Sequence, residues 1–590
     1  MNICQENRGV AARQALCLGD EGASGQTGKV AQVLALFGVP GRTSTVDEFL
    51  RGTLEPCPPG RGLGIFSSAA TFLRLLDVLE RQPEGERFWQ QHVHSAFVWG
   101  EDDSEALAKL AARLTGGGTV SPGQIDQGVA ELMVSEQPED LCGVMAGIKA
   151  SVSLAHPESG FVFDPSQTAA SNIISGNAKG LFTKFERQKV AVFISTSKTI
   201  IDIRAPLDGR YFDVRNHFLS SVPLVLYVKW AFAETCWNPP ETNACLVIDD
   251  PLLRPNYGFV NFEELLEQMK QHQYSTSIAF IPWNRCRSRE KTVRLFKENP
   301  ELYSLSIHGC DHTRREFGTS DSGLLAWKVK RALRWMEDHK ERTGISHDRV
   351  MVFPQGVFSK EAVNALKQNN FIAAVNTEVI SAASTSPQID VASWWDMAVM
   401  DYENFPIFTR RYPSQGIENF AFDILLGKPC LLVVHHDFFR HGYAPMAEFV
   451  GRLNRLKRPM TWRTLAEVAR RGHRQRQIAE GEIEIQMYGT EIRIENRSGR
   501  RTRFTVKKRE GNSSAVKDIS AESGPVNWTY EAGEITFSIV VEPGSSRSVC
   551  VISQEFSENA PSGAGIFYEV KVALRRYLSE IRDNLVSRFR

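Results

Sequence analysis

No CxxC pair occurs among the ten cysteines of this chain, which stand singly at Cys4, Cys17, Cys57, Cys142, Cys236, Cys245, Cys286, Cys310, Cys430 and Cys550. That spacing excludes a zinc ribbon and a dense disulfide framework, and it points to free thiols in a reducing compartment. An excess of charge of one sign is also missing: 69 Lys and Arg balance 69 Asp and Glu. A dedicated nucleic-acid binder carries a basic surplus, so no nucleic-acid partner is expected. No apolar run approaches the ~18 residues that a membrane span needs. The longest, near Phe218–Ala233, is broken by Ser, Pro and Lys and reads as buried core. The first 28 residues hold no continuous apolar stretch, so neither a secretory leader nor a transmembrane segment is expected and the expected location is the cytoplasm. Walker and GxGxxG loops are absent from the first α/β segment.

What is present is an ordinary globular composition, 42% hydrophobic and 23% charged over 590 residues, which is enough chain for roughly three or four domains. Residues 1–28 are polar and Gly-rich and are expected to be disordered. Residues 29–238 alternate strand-like and helix-like stretches, such as "GLGIFS" before "SAATFLRLLDVLERQ" and "SAFVWG" before "DDSEALAKLAARLTGG", and so predict a parallel α/β domain. "VLALFGV" and "VPLVLYVKWAF" are taken as further strands. Pro239–Pro240 marks a linker. A second α/β block, 239–478, follows. Its helix "NFEELLEQMKQHQ" places Phe262, Leu265, Leu266 and Met269 on one face. Residues 479–555 alternate at period two and predict a small β-sandwich. Residues 556–590 form an amphipathic helix with Leu574, Leu578, Ile581 and Leu585 at helical spacing. Its basic residues make a partner or membrane-surface contact an alternative to packing on its own protein. The expected fold class is therefore multidomain α/β.

Five stretches of the second block carry chemistry. "VIDDP" sets Asp249 and Asp250 at the end of a buried strand, where paired charges are costly unless they bind something; an isolated DD also serves as a helix cap. "SIHGCDHT" sets His308 and His312 four apart, and neutral imidazoles so spaced can converge on one ion. "VFPQGVFS" runs a strand into the Pro354–Gln355–Gly356 turn, "DVASWWDM" offers Asp390, Trp394 and Trp395, and "LLVVHHD" ends a strand on His435, His436 and Asp437. Consecutive strand residues face opposite ways, so one of the two histidines can look into a site.

In this order, these stretches of residues 243–440 resemble the polysaccharide deacetylase family, carbohydrate esterase family four, whose NodB-homology domain is a distorted (β/α) barrel. The resemblance implies that Asp249 is the catalytic base and that Asp250, His308 and His312 hold one divalent metal, zinc by preference. It implies that His436 or His435 is the general acid, with the lean toward His436. Pro354, Gln355, Gly356, Trp394 and Trp395 would line the substrate groove, and backbone N–H groups of the Phe353–Gly356 turn would face the oxyanion. The expected activity is release of acetyl groups from an N-acetylated carbohydrate. Four positions depart from the family pattern: Pro251 stands at the first-motif Gly, Gly309 at a Ser/Thr place, Val352 at the third-motif Arg and Ser393 at the second Asp of the fourth motif. Loss of that Arg and Asp together keeps open a catalytically impaired, glycan-binding or assembly protein of polysaccharide production. A hydrolase of another non-peptide C–N bond is the third alternative.

Overall fold

The computed structural model describes residues 13–19, 24–52, 62–82, 85–101, 103–116, 120–163, 170–381, 387–554 and 565–584. Most of the expected disordered N-terminus lies outside these residues, but Gln14–Leu18 is a buried strand. It pairs in parallel with Gly41–Ser44 on one side and Leu63–Ser68 on the other. Val93–Trp99 and Val190–Ser195 extend this parallel layer. Beyond Val190–Ser195 the sheet turns antiparallel through Lys179–Arg187, Ser171–Gly176, Gly128–Val134 and Lys149–Leu154. The first domain is thus half parallel and half antiparallel.

Two stretches expected as strands are helical: "VLALFGV" ends the helix Ser24–Leu36, and "VPLVLYVKWAF" lies mostly in Phe218–Ala231. Phe218–Ala231 is buried almost all round, so it carries no polar stripe to reveal its period. Asp103 caps the helix Ser104–Leu114 with its side chain.

The central block is an all-parallel sheet in the order Ile407–Thr409, Ala373–Asn376, Asp348–Val352, Tyr303–His308, Thr276–Phe280, Thr242–Asp249, Cys430–His435, with Met460–Trp462 added beside Thr242–Ala244. Every residue of Thr242–Asp249 is buried, as a strand covered on both faces requires. The helix Phe262–His272 buries the four apolar residues read from its spacing, and Asn261 caps it by accepting from the Glu263 and Glu264 N–H groups. The curled sheet closes on itself at one bridge: the Arg411 N–H donates to the Leu431 carbonyl at 2.9 Å and the Val433 N–H to the Arg411 carbonyl at 2.9 Å. This closure brings the end of Ile407–Thr409 beside the end of Cys430–His435. Strand C-termini thereby converge on one mouth, where sites of such folds are built.

Two sheets, of five and four strands, form the sandwich over His473–Ser553. They enclose their own core, with Ile485, Phe504, Val506, Ile519 and Phe537. The sandwich is tied to the barrel by a buried ion pair, Arg474 Nη1 to Asp396 Oδ1 at 2.8 Å, and by the Tyr488 hydroxyl donating to the same carboxylate. Arg474 also donates to the Trp395 carbonyl at 3.0 Å. Arg474→Met is expected to destabilise the protein by ~3–5 kcal/mol, because it leaves a buried carboxylate without its cation. Denaturant unfolding checks this, with Asp396→Asn/Arg474→Met recovering part of the loss.

Candidate metal and catalytic centre

Asp249 ends the strand Thr242–Asp249 and Asp250 follows it, the one reaching Arg410 and the other His308 and His312. Asp249 is 3% exposed. Arg410 grips it with both terminal nitrogens, Nη1 to Oδ1 at 2.7 Å and Nη2 to Oδ2 at 2.6 Å. Burial pushes the Asp249 carboxyl up, but Arg410, His308 and His435 outweigh it, and the group lies below its ordinary range. It is a carboxylate at neutral pH.

This pair corrects an expectation. Val352 does stand where the family has Arg, and it is buried and apolar. The charge that meets Asp249 comes instead from Arg410, just past the end of Ile407–Thr409. Alternation along an extended chain explains how: Arg410 turns inward to Asp249, and Arg411 turns outward to Asp423, Nε to Oδ2 at 2.6 Å. The sequence signal was the adjacent pair in "FTRRYP", legible only once barrel closure is known.

Asp250 is held at φ +81° and His312 at φ +58°. Both are left-handed conformations that side-chain-bearing residues adopt at a cost of ~1–3 kcal/mol, and such strain gathers at functional sites. The Asp250 Oδ1 lies 3.5 Å from His308 Nε2 and 3.2 Å from His312 Nε2. It is buried and has no hydrogen-bond partner. One donor atom from each of the three residues falls within 4.8 Å of the others. His308 Nδ1 sits 2.9 Å from the Val352 carbonyl, so this nitrogen carries the proton and Nε2 offers its lone pair. An oxygen and two imidazole nitrogens, mutually close and with one tautomer fixed from behind, are a donor set that fits a divalent ion. Burial lowers His312 to about 4, partly offset by Asp250. Burial raises Asp250, but His312, His308 and Arg576 hold it well below the carboxylate range.

The turn between the histidines rests on a buried charge cluster. Glu316 Oε1 accepts from the Cys310 and Asp311 N–H groups at 3.1 and 3.0 Å, and Oε2 from the His312 N–H at 2.9 Å. Lys328 Nζ reaches Glu316 at 3.1 Å and Asp311 at 3.2 Å. Cys310, Asp311 and Glu316 also come close enough for an ion, but the Lys328 ammonium already serves as their cation. Burial and the neighbouring Asp311 push Glu316 up to about 7, against the pull of Lys328. Gly309 fits this turn for a steric reason: at φ +66°, a Cβ would lie 2.4 Å from Pro354 Cγ and 2.5 Å from Glu316 Oε2.

The two strand-end histidines part as alternation demands. His435 Nδ1 lies 3.9 Å from Asp250 Oδ2, its side chain 42% exposed to the mouth. Its Nε2 is 3.5 Å from the Tyr412 hydroxyl, a neighbour the sequence reading did not name. His436 is turned away against Tyr257 and Phe259 and toward Asp583, Nε2 to Oδ1 at 3.6 Å. The geometry favours His435, against the lean toward His436.

Of the expected groove residues, Pro354 is buried against Gly309, and Gln355 at φ +60° is exposed, its side chain accepting from the Arg315 N–H. The Gly356 and Val357 N–H groups are spent inside the turn on the Phe353 and Pro354 carbonyls, which leaves them unavailable for an oxyanion. Trp394 and Trp395 are each 0% exposed, with Arg411 over the former and Phe212 and Phe422 edge-on to the latter. Indoles with no free face cannot stack on a sugar, so both belong to the core. Asp390 caps the short helix Val391–Trp395.

The terminal helix Ile566–Asn584 crosses beside this mouth. Its Tyr568 hydroxyl donates to Asp311 Oδ2 at 2.6 Å, its Asp583 accepts from the Tyr257 hydroxyl at 2.9 Å, and its Glu580 pairs with Arg254 at 2.6 Å and with Arg287. Apolar spacing predicts this helix; its place beside the mouth comes from the tertiary contacts.

Two outcomes are expected. Arg410→Met is expected to cost ~3–5 kcal/mol at neutral pH, since it strands the buried Asp249 carboxylate. A carboxyl depressed in the folded state contributes stability above its unfolded pKa and loses it as pH falls through the folded one, so the gap to wild type in melting temperature is expected to narrow in acid. Gly309→Ser, which restores the family residue, is expected to lower metal content rather than improve it, as read by elemental analysis.

No family model and no curated relative matches the chain. Among solved structures, Agd3, described as a novel carbohydrate deacetylase, aligns over 92% of this chain and 98% of its own at 10% identity and TM-score 0.48. A family 4 carbohydrate esterase from Streptomyces lividans aligns over 36% of this chain and 86% of its own, at 11% identity and TM-score 0.22. A CE4 esterase from Streptococcus mutans aligns over 43% and 92%, at 12% identity and TM-score 0.25. The likeness is one of fold.

Proposed function

We propose that this protein is a metal-dependent hydrolase of polysaccharide deacetylase type that removes acetyl groups from N-acetylated sugars. The observation that carries the reading is the buried, unpartnered Asp250 oxygen between two imidazole nitrogens, beside a second carboxylate already held as an anion. Asp250, His308 and His312 would hold one divalent ion, zinc by preference, which supplies Lewis acidity to a water and a carbonyl.

Asp249 acts as the base. Arg410 fixes its carboxylate and keeps it ionised, so that it takes a proton from the water that adds to the acetamide carbon. His435 gives a proton to the nitrogen as the C–N bond breaks, releasing acetate and the free amino sugar. The Tyr412 hydroxyl, within reach of His435 Nε2, orients that ring. Sugar contact falls to the mouth: Gln355 on the exposed turn and Tyr412 opposite. His436 takes a positioning role, joining the Asp250–Asn261 loop to the terminal helix.

The impaired, glycan-binding alternative rested on the missing third-motif Arg. With Arg410 supplying that charge, the physical reason for preferring it falls away. No helix among the described residues is long and apolar enough to cross a membrane. Eight described cysteines are free, which supports a reducing, cytoplasmic setting.

Elemental analysis is expected to find about one zinc or similar ion per chain, as one three-residue site implies, and to find it lost in His308→Ala. Asp249→Asn is expected to keep the ion while acetate release from N-acetylated oligosaccharides falls by ~10²–10⁴-fold. His435→Gln is expected to lower kcat more than His436→Gln. Full activity in Asp249→Asn, or no ion in wild type supplied with zinc, overturns the reading.

A further inference from the structure

The terminal helix Ile566–Asn584 is amphipathic, but it packs with its polar side inward. Toward the barrel it turns Tyr568, Arg576, Glu580 and Asp583. Toward solvent it turns Phe567 (89% exposed), Val570 (61%), Leu574 (60%), Leu578 (56%) and Ile581 (49%). These recur three, four and seven residues apart, so they form one continuous stripe along 19 residues. Single exposed apolar side chains are common on any protein; a contiguous stripe marks a contact surface.

The charges say what surface it fits. The helix's three carboxylates are committed toward the protein: Glu569 to Arg331 at 2.6 Å, Glu580 to Arg254 at 2.6 Å, and Asp583 to the Tyr257 hydroxyl. Its basic side chains Lys571 and Arg575 lie along one edge of the stripe, and Arg582 on the same edge is paired with Asp583 at 2.8 Å. With Leu574 and Leu578 they line a single shallow depression. Arg314 and Arg315, exposed on the adjoining metal turn, add positive charge nearby. An apolar strip with a cationic edge and its anions turned inward complements a flat surface of apolar chains under anionic head groups. A second copy of the chain fits less well, because pairing two stripes brings the two basic edges together. The helix does not meet the requirements for crossing a bilayer, so it would lie in the interface plane.

We infer that the outer face of Ile566–Asn584 is a docking surface for anionic lipid membranes. Docked this way, the membrane-bound helix stays beside the proposed metal site, since it touches the Asp311 turn, Tyr257 and His436 with its inner face. The inference does not depend on the deacetylase reading, because it concerns binding and not turnover.

The test is co-sedimentation of the full chain with phosphatidylcholine vesicles, with and without phosphatidylserine. Wild type is expected to bind the phosphatidylserine vesicles tenfold or more tightly, as Lys571 and Arg575 at ~1 kcal/mol each allow, and to be released by high salt. Leu574→Asp/Leu578→Asp is expected to abolish binding, and Lys571→Glu/Arg575→Glu to remove the lipid preference. Melting temperatures close to wild type show that these exposed substitutions leave the fold intact. Failure of wild type to bind either vesicle overturns the inference, as does binding that both variants retain. Light scattering that shows a wild-type dimer lost in Leu574→Asp/Leu578→Asp, without vesicle binding, assigns the face to a second copy instead.

Discussion

The buried pair between Asp249 and Arg410 is the constraint on which the rest of the site depends. A carboxylate at the end of a fully covered strand is several kcal/mol out of place unless a cation meets it with good geometry. Here two parallel hydrogen bonds meet both oxygens. The pair spans the point where the curled sheet closes, so the same contact that keeps Asp249 ionised also fixes the barrel's seam. Next to the immobilised Asp249, Asp250 is held in a strained conformation close to two imidazoles. Strain, pairing and closure are one arrangement seen at three scales.

A second layer of charge supports the first. His308 is oriented from behind by the Val352 carbonyl, so the residue that lacks the family's Arg side chain still serves the site through its backbone. His312 is positioned through Glu316, whose oxygens satisfy three successive N–H groups of the turn, and Lys328 neutralises the carboxylates beneath. Because this cluster is almost wholly buried, each member raises the cost of losing another. The terminal helix joins the same network through Tyr568, from a point more than 250 residues along the chain, the Asp311 contact being 257 residues apart in sequence.

The helix is also where packing and exposure run opposite to habit. Its polar side is used up on the barrel rim, and its apolar side faces out. A hydrophobic pattern at period 3.6 says that a helix has two faces; it does not say which face is inward. The same limit explains Phe218–Ala231, an apolar run without a polar stripe that reads as a strand and folds as a helix.

What the sequence determined was local and ordered: the strand ending in two carboxylates, the histidines four apart, the amphipathic helix Phe262–His272, the two-residue alternation of the sandwich, and the order of five motifs along one barrel. These follow from short-range periodicity and from residue chemistry that any context must accommodate. What only the tertiary structure decided was every pairing across the chain. Arg410 meets Asp249 because the sheet closes at Arg411; His435 faces the mouth and His436 does not because of strand phase; Trp394 and Trp395 are core because other elements cover them. Gly309 stands in the turn because Pro354 and Glu316 leave no room for a Cβ. Such choices depend on which residues distant in sequence become neighbours, and spacing along a chain does not encode that by itself.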